Sequence, residues 1–100
     1  MRLPSHERFE LAVQLRIASV SVYANIAEGA GRRTHGEFAN FLSMARGSAM
    51  EADSHTEYAT EVGYLKQSEV QRAQDLADEV IRMLSTMMAK LAPFGGKRQK

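Results

Sequence analysis

Residues Asn25–Glu37, NIAEGAGRRTHGE, decide the fold. They read either as a Gly-x-Gly phosphate loop beside a catalytic Glu28 or as a bend between two helices. The glycines fit no dinucleotide fingerprint, because a preceding strand and the third glycine are missing, and no Gly-Lys-Ser/Thr of a P-loop follows. Gly29 or Gly31 is expected to supply the left-handed residue that ends one helix. Thr34 with Glu37 is a capping box that starts the next. The stretch is therefore a helix-turn-helix junction. Arg32 and Arg33 stand just before the positive end of the second helix, where they and its free amides form a candidate anion or nucleic-acid contact.

Working outward, three helices are expected at about 5–29, 34–62 and 68–92. Pro4, Ser5 and Glu7 open the first. Its apolar residues fall in two stripes, Leu11, Leu15, Ala18, Val22 and Ile26, and beside them Phe9, Val13, Ile17, Val20, Ala24 and Ala27, so burial on two sides is expected. Ser19–Tyr23 alternates like a β-branched strand, but the 3.6-residue period continues on both sides of it. In the second helix Phe38, Phe41, Leu42, Ala45, Ala49 and Ala52 share a face, and Gly47 is expected to be compensated by close helix packing. Gly63 closes that helix, and Ser68 with Gln71 repeats the capping-box logic. The third carries Val70, Ala77, Leu84 and Leu91 at heptad spacing before Pro93 and Gly95-Gly96 stop it. Short connections force antiparallel neighbours. The expected fold is an all-α, antiparallel up-down bundle over residues 1–92, followed by a basic, disordered tail, 93–100.

Composition agrees with this reading. One hundred residues, 44% of them hydrophobic and 25% charged, make one domain with a modest core that a partner subunit would help to cover. Without cysteine, disulfides and thiolate zinc sites are excluded. The N-terminus has no apolar signal region and the uncharged run IASVSVYANIA is too short and polar to span a bilayer, so a cytoplasmic protein without membrane contact is expected. A net charge of +1 supplies no broad field for nucleic acid, and any such binding must be local, at Arg32, Arg33 and the tail cations Lys97, Arg98 and Lys100.

The chemistry-bearing residues are few. Glu51, Asp53, His55 and Glu57 lack the paired Glu-x-x-His spacing of a di-iron bundle and read as a solvated acidic face with a surface histidine. Ser48, in RGSAME, sits mid-helix without a strand-to-helix elbow, which favours packing over nucleophilic catalysis. Met44, Met50, Met83, Met87 and Met88 read as core filler. Asn25 and Glu28, with Gly29 and Gly31, read as a polar turn clamp in which a partly buried Glu28 meets Arg46, Arg32 or Arg33. No cofactor, metal or small-molecule substrate is expected.

The ordered motifs of Gln14–Leu65, a helix ending in Asn-Ile-Ala-Glu-Gly, then a Gly-Arg-Arg turn, EFANFL, ARGS and GYL, resemble the four-helix bundle proteins encoded by intervening sequences of the large-subunit ribosomal RNA gene. The resemblance continues more weakly to about Leu91. It implies a compact antiparallel bundle without established enzymatic activity, in some members a homopentameric ring. A related branch, the accessory proteins of diversity-generating retroelements, works beside a reverse transcriptase and binds nucleic acid through basic surface, which the near-neutral charge here does not favour. Asn25, Glu28, Gly29, Arg32, Arg33, Phe38, Phe41, Leu42, Gly47 and Ser48 are the positions that match the family pattern.

The chain departs from that pattern at its start. Members begin with a helix bearing a Val-Trp motif, whereas this sequence holds no tryptophan and opens at what resembles the loop into their second helix. A start set too late, a shortened chain and a three-helix variant all fit, and in each the three helices correspond to the last three of the bundle. One stripe of the first helix would then face water over a larger apolar patch than monomers tolerate, so a neighbouring copy is expected to cover it. The function expected is that of a non-enzymatic homo-oligomer, a structural or protein-interaction module. The alternative is an RNA- or DNA-binding accessory protein, partnering a reverse transcriptase or ribosomal RNA.

Overall fold

The computed structural model describes the backbone of residues 5–99, and the side chains of that range except 5–9, 11 and 12. Three α-helices follow one another, α1 (Ser5–Ala30), α2 (His35–Glu61) and α3 (Gln67–Leu91), and a 3-10 turn spans Ala92–Phe94. No strand occurs among the described residues, and the all-α expectation holds. The capping reading at Pro4, Ser5 and Glu7, and the stripe positions Phe9 and Leu11, lie outside the described side chains.

The turns differ from expectation in their chemistry. Neither Gly29 nor Gly31 is left-handed. Gly63, at φ 81°, is the one described residue at positive φ. Helix α1 instead tightens at its end, with the Gly31 and Arg32 amides donating to the Glu28 and Gly29 carbonyls at 3.2 and 3.1 Å. At the end of α2 the Tyr64 amide reaches the Ala59 carbonyl and the Gly63 amide the Thr60 carbonyl, a Schellman pair that needs the left-handed Gly63. Thr34 caps α2 through its hydroxyl, which accepts from the Glu37 amide and donates to the Glu37 carboxylate, both at 3.2 Å. The box closes on the hydroxyl rather than on the Thr34 amide. The second box is displaced: Glu69, not Gln71, reaches back, its carboxylate accepting from the Lys66 amide at 2.8 Å, and Ser68 is already helical. An anionic acceptor near the positive helix end outcompetes the neutral pair.

Helix α2 packs against both neighbours, while among the described residues the α1 and α3 backbones stay more than 8 Å apart, Cα to Cα. With Cα extents of 52 × 21 × 15 Å, the cross-section is a shallow V with α2 at its apex. The centre of the core is Leu42, Ala45 and Leu84, surrounded by Val22, Ile26, Phe38, Val80, Met87, Met88 and Leu91. This places the well-packed end where α1 finishes and α2 begins. Toward the opposite end the side chains at the helix contacts shrink to Ala49, Ala52 and Ala59, and the V opens.

Two packing expectations are corrected. Gly29 is buried, and a Cβ there would stand 2.7 Å from Phe41 Cβ and 2.9 Å from Phe38 Cδ1, so this glycine sets the close approach of α1 to α2. Gly47 faces open space with nothing within 4 Å of a Cβ, and no close packing compensates it. The tail is also placed rather than disordered. Residues Gly95–Gln99 run back over the α1–α2 turn, with Arg98 pairing antiparallel to Thr34.

Candidate functional site

The junction quoted at the outset is held by more chain than its own. The Gln99 amide donates to the Arg33 carbonyl at 2.8 Å, and the Gln99 side-chain amide donates to the carbonyls of Arg32 and Gly29 at 2.8 and 3.2 Å. The His35 and Gly36 amides donate to the Lys97 and Gly95 carbonyls at 3.0 and 2.7 Å, and the His35 ring meets Phe94 edge-on. With Glu37 on the Thr34 hydroxyl and Phe38 on the Thr34 carbonyl, the first-turn amides of α2 from His35 to Phe38 are all used. The free amides expected to help hold an anion are therefore taken up by the protein's own tail and cap.

The tail brings the basic residues to one end of the V. Arg32, Arg33, Lys97 and Arg98 are all exposed there, while Lys100 lies outside the described residues. Arg32 is committed to its surroundings: its guanidinium is 3.4 Å from both the Glu28 and the Glu37 carboxylates and sits over the Phe41 ring at 5.2 Å. The turn clamp is thus Arg32 between Glu28 and Glu37, with Gly31 in the exposed turn. Glu28 is exposed rather than partly buried, and it does not meet Arg46, whose guanidinium donates to Ser85 Oγ at 3.0 Å and ties α2 to α3. Asn25 turns inward, donating to the Ser21 carbonyl at 2.8 Å and to Ser21 Oγ at 3.1 Å. Ser21 Oγ in turn bonds Ser48 Oγ at 2.8 Å across the α1–α2 contact, which gives Ser48 a packing role.

Two apolar surfaces remain uncovered. The mouth of the V is a groove of about 400 Å³, walled by Leu15 and Val22 on α1 and by Leu76 and Val80 on α3, and floored by Ala49 and Ala52. On the far side of α1 the outer stripe carries Ile17 and Val20, 57% and 60% exposed, with exposed Ala24 and half-buried Val13 along the same line. Of the two expected stripes, the one through Ala18 and Val22 packs on α2 and the one through Ile17 and Val20 faces solvent.

Asp53 corrects the acidic-face reading. It lines the groove, one carboxylate oxygen is buried without a partner, and loss of solvent, then repulsion from Asp78, hold the carboxyl above its ordinary range. Glu51 and Glu57 are exposed as expected, with His55 Nε2 3.6 Å from Glu51. Among the described residues no three potential ligands stand close enough to hold a metal ion. Nor, among them, is any helix long and apolar enough to cross a membrane.

Sequence reasoning missed Ser21, Ser85, Gln99 and Asp53. The first three are short or neutral polar residues whose partners lie 27 to 70 positions away, which no local spacing encodes. The Asp53 signal was present in Ala49 and Thr56, one helical turn to either side of it on the small-residue face. No curated protein matches the chain. A family model described as 23S rRNA-intervening sequence protein matches residues 1–86. With α1, α2, the junction at Asn25–Glu37 and most of α3 inside that match, the chain belongs to the 23S rRNA-intervening sequence protein family.

Proposed function

We propose that the protein is a non-enzymatic, homo-oligomeric module of the cytoplasm that works by assembly and protein interaction. The observation that carries this reading is the outer stripe of α1: Ile17 and Val20 are more than half exposed on a helix whose other face is already packed. Monomeric surfaces scatter such residues singly, whereas a contiguous line of them marks an interaction site. The polar groups that could have served catalysis support it too, because Ser48 is bonded to Ser21 and the α2 amides are taken by the tail. The finer proposal is the five-membered ring that the family resemblance implies. Light scattering on purified protein at micromolar concentration tests it. A single assembled species is expected, and a monodisperse monomer that binds no hydrophobic dye sinks the proposal.

A second reading is favoured by the juxtaposition of Arg33, Lys97 and Arg98 at one end, which supplies local positive charge that the net charge conceals. RNA or DNA phosphates would be the ligand, and the partner a reverse transcriptase or ribosomal RNA complex. Neutralising about three phosphates predicts a salt slope near −2 to −3 in log affinity against log salt. Arg33→Ala with Arg98→Ala should flatten that slope by about 2. Absence of binding at low salt removes this reading.

A further inference from the structure

Two bare faces lie away from the mouth of the V. Ile17 and Ala24 each stand two positions beyond Leu15 and Val22, which line the groove, and so about 160° round α1 from them. Gly47 likewise stands two positions from the buried Ala45 and Ala49, on the outer side of α2, and nothing lies within 4 Å of a Cβ there. A segment laid in the groove would therefore leave both faces uncovered. Each is apolar: Ile17, Val20 and Tyr23 on α1, and Met44, Met50 and Tyr58 on α2, are more than half exposed. The expectation that Met44 and Met50 fill the core fails, and flexible thioethers on a surface suit a contact that adapts to another molecule.

Resting on the assembly reading above, we propose that the outer face of α2 around Met50 is the seat of a second copy of this chain, which lays its α1 ridge of Val13, Ile17, Val20 and Tyr23 antiparallel across it. Spacing and charge agree on the register. Arg16 and Tyr23 are about two turns apart on one flank of the ridge, and Met50 and Glu57 about two turns apart on one flank of the α2 face. Run antiparallel, the contact that sets Arg16 beside Glu57 also sets Tyr23 beside Met50, where sulfur meets an aromatic ring. Arg16 and Glu57 are both exposed, and neither has an ion-pair partner among the described residues. The antiparallel sense suits a ring, because copies arranged about one axis keep every α1 pointing one way and every α2 the other. The two faces sit on neighbouring helices rather than back to back, so each added copy turns the row toward closure. A pairing of ridge with ridge would leave Met50 and Glu57 uncovered, and it is the arrangement this proposal excludes.

Charge reversal tests the register and complementation the pairing. Native mass is followed against protein concentration, with far-ultraviolet circular dichroism showing that each variant retains its helices. Arg16→Glu and Glu57→Arg should each raise the concentration of half-dissociation roughly tenfold by setting like charges together, and the chain carrying both should return to the wild-type value. Ile17→Lys with Val20→Lys disables the ridge, and Met50→Lys with Tyr58→Lys disables the α2 face, all at exposed positions. Each of these two variants alone is expected as a monomer and their equimolar mixture as a 1:1 complex, because one keeps an intact face and the other an intact ridge. If the face variant assembles like the wild type while the ridge variant does not, assembly stands and α2 is not its seat. A double reversal no tighter than the single ones, or two helical monomers that fail to combine, also overturns the pairing. A wild-type chain that is itself monomeric overturns the assembly reading and this one together. Should a lysine variant lose its helices, the charge reversals decide the pairing without it.

Discussion

Two glycine-to-alanine substitutions should move stability in opposite directions. At Gly29 the new Cβ would stand 2.7 Å from Phe41 Cβ and 2.9 Å from Phe38 Cδ1. Carbon atoms pack at about 3.5–4.0 Å, a shortfall of roughly 1 Å. The Phe38 ring can rotate, but Phe41 Cβ is fixed to the α2 backbone, so the helices must part at their closest crossing. Overpacking of this kind costs about 1–3 kcal/mol. The helix preference of alanine offsets at most about 1 kcal/mol, and less in a last turn. The net loss for Gly29→Ala is about 1–2 kcal/mol, a fall in melting temperature of roughly 4–16 °C for a chain of this size. Gly47→Ala meets nothing within 4 Å, so only the helix preference acts. It should gain about 0.5–1 kcal/mol, or roughly 2–8 °C. Urea titrations at one fixed protein concentration, with unchanged slopes, check both, since assembly makes apparent stability depend on concentration. A Gly29→Ala protein as stable as the wild type, or both variants shifting the same way, would refute the account of the α1–α2 crossing.

Other outcomes follow from the site. Arg32→Ala should cost about 1 kcal/mol or less, since its two carboxylate contacts are exposed and its stacking on Phe41 is partly solvated, and the loss should shrink in high salt. Asp53 has its folded-state pKa raised above 3.8, so its carboxyl is neutral in both states below that value and costs nothing there; as pH rises the unfolded chain ionises first and stability is lost through the folded-state pKa. Asp53→Asn should therefore melt higher than the wild type at neutral pH and alike near pH 3, where thermal scans compare them. Gly36→Ala places a Cβ 2.7 Å from the Gly95 carbonyl oxygen and should dislodge the tail, seen as faster hydrogen exchange at the His35 and Gly36 amides with the Phe38 amide unaffected. Unchanged protection at His35 would show that the tail does not hold that turn.

The helices were legible because periodicity repeats over many residues and averages out local noise. The Val70 and Leu84 heptad became the buried line of α3, and the Thr34 hydroxyl capped α2 at its expected place. Position along the chain was readable. What faced each position was not. Glu28 looked partly buried because it ends an apolar helix, yet it lies on the outer side of that helix, and the wheel could not say which of the two stripes would find α2. Gly29 and Gly47 illustrate the same limit, being one residue type in two helices, one against a neighbouring backbone and one against open space. The tail read as disordered because it is short, basic and rich in glycine, but its fixing bonds run through backbone groups, which composition does not register.

The tail also imposes an order of events on synthesis. Gly36 leaves the ribosome about 60 residues before Gly95, and at roughly 5–20 residues per second its partner is missing for about 3–12 s. During that interval α2 is held at its start by Thr34 alone, and the turn between α1 and α2 lacks the Gln99 brace. The junction that decides the fold is therefore fastened only once Gly95–Gln99 have been made.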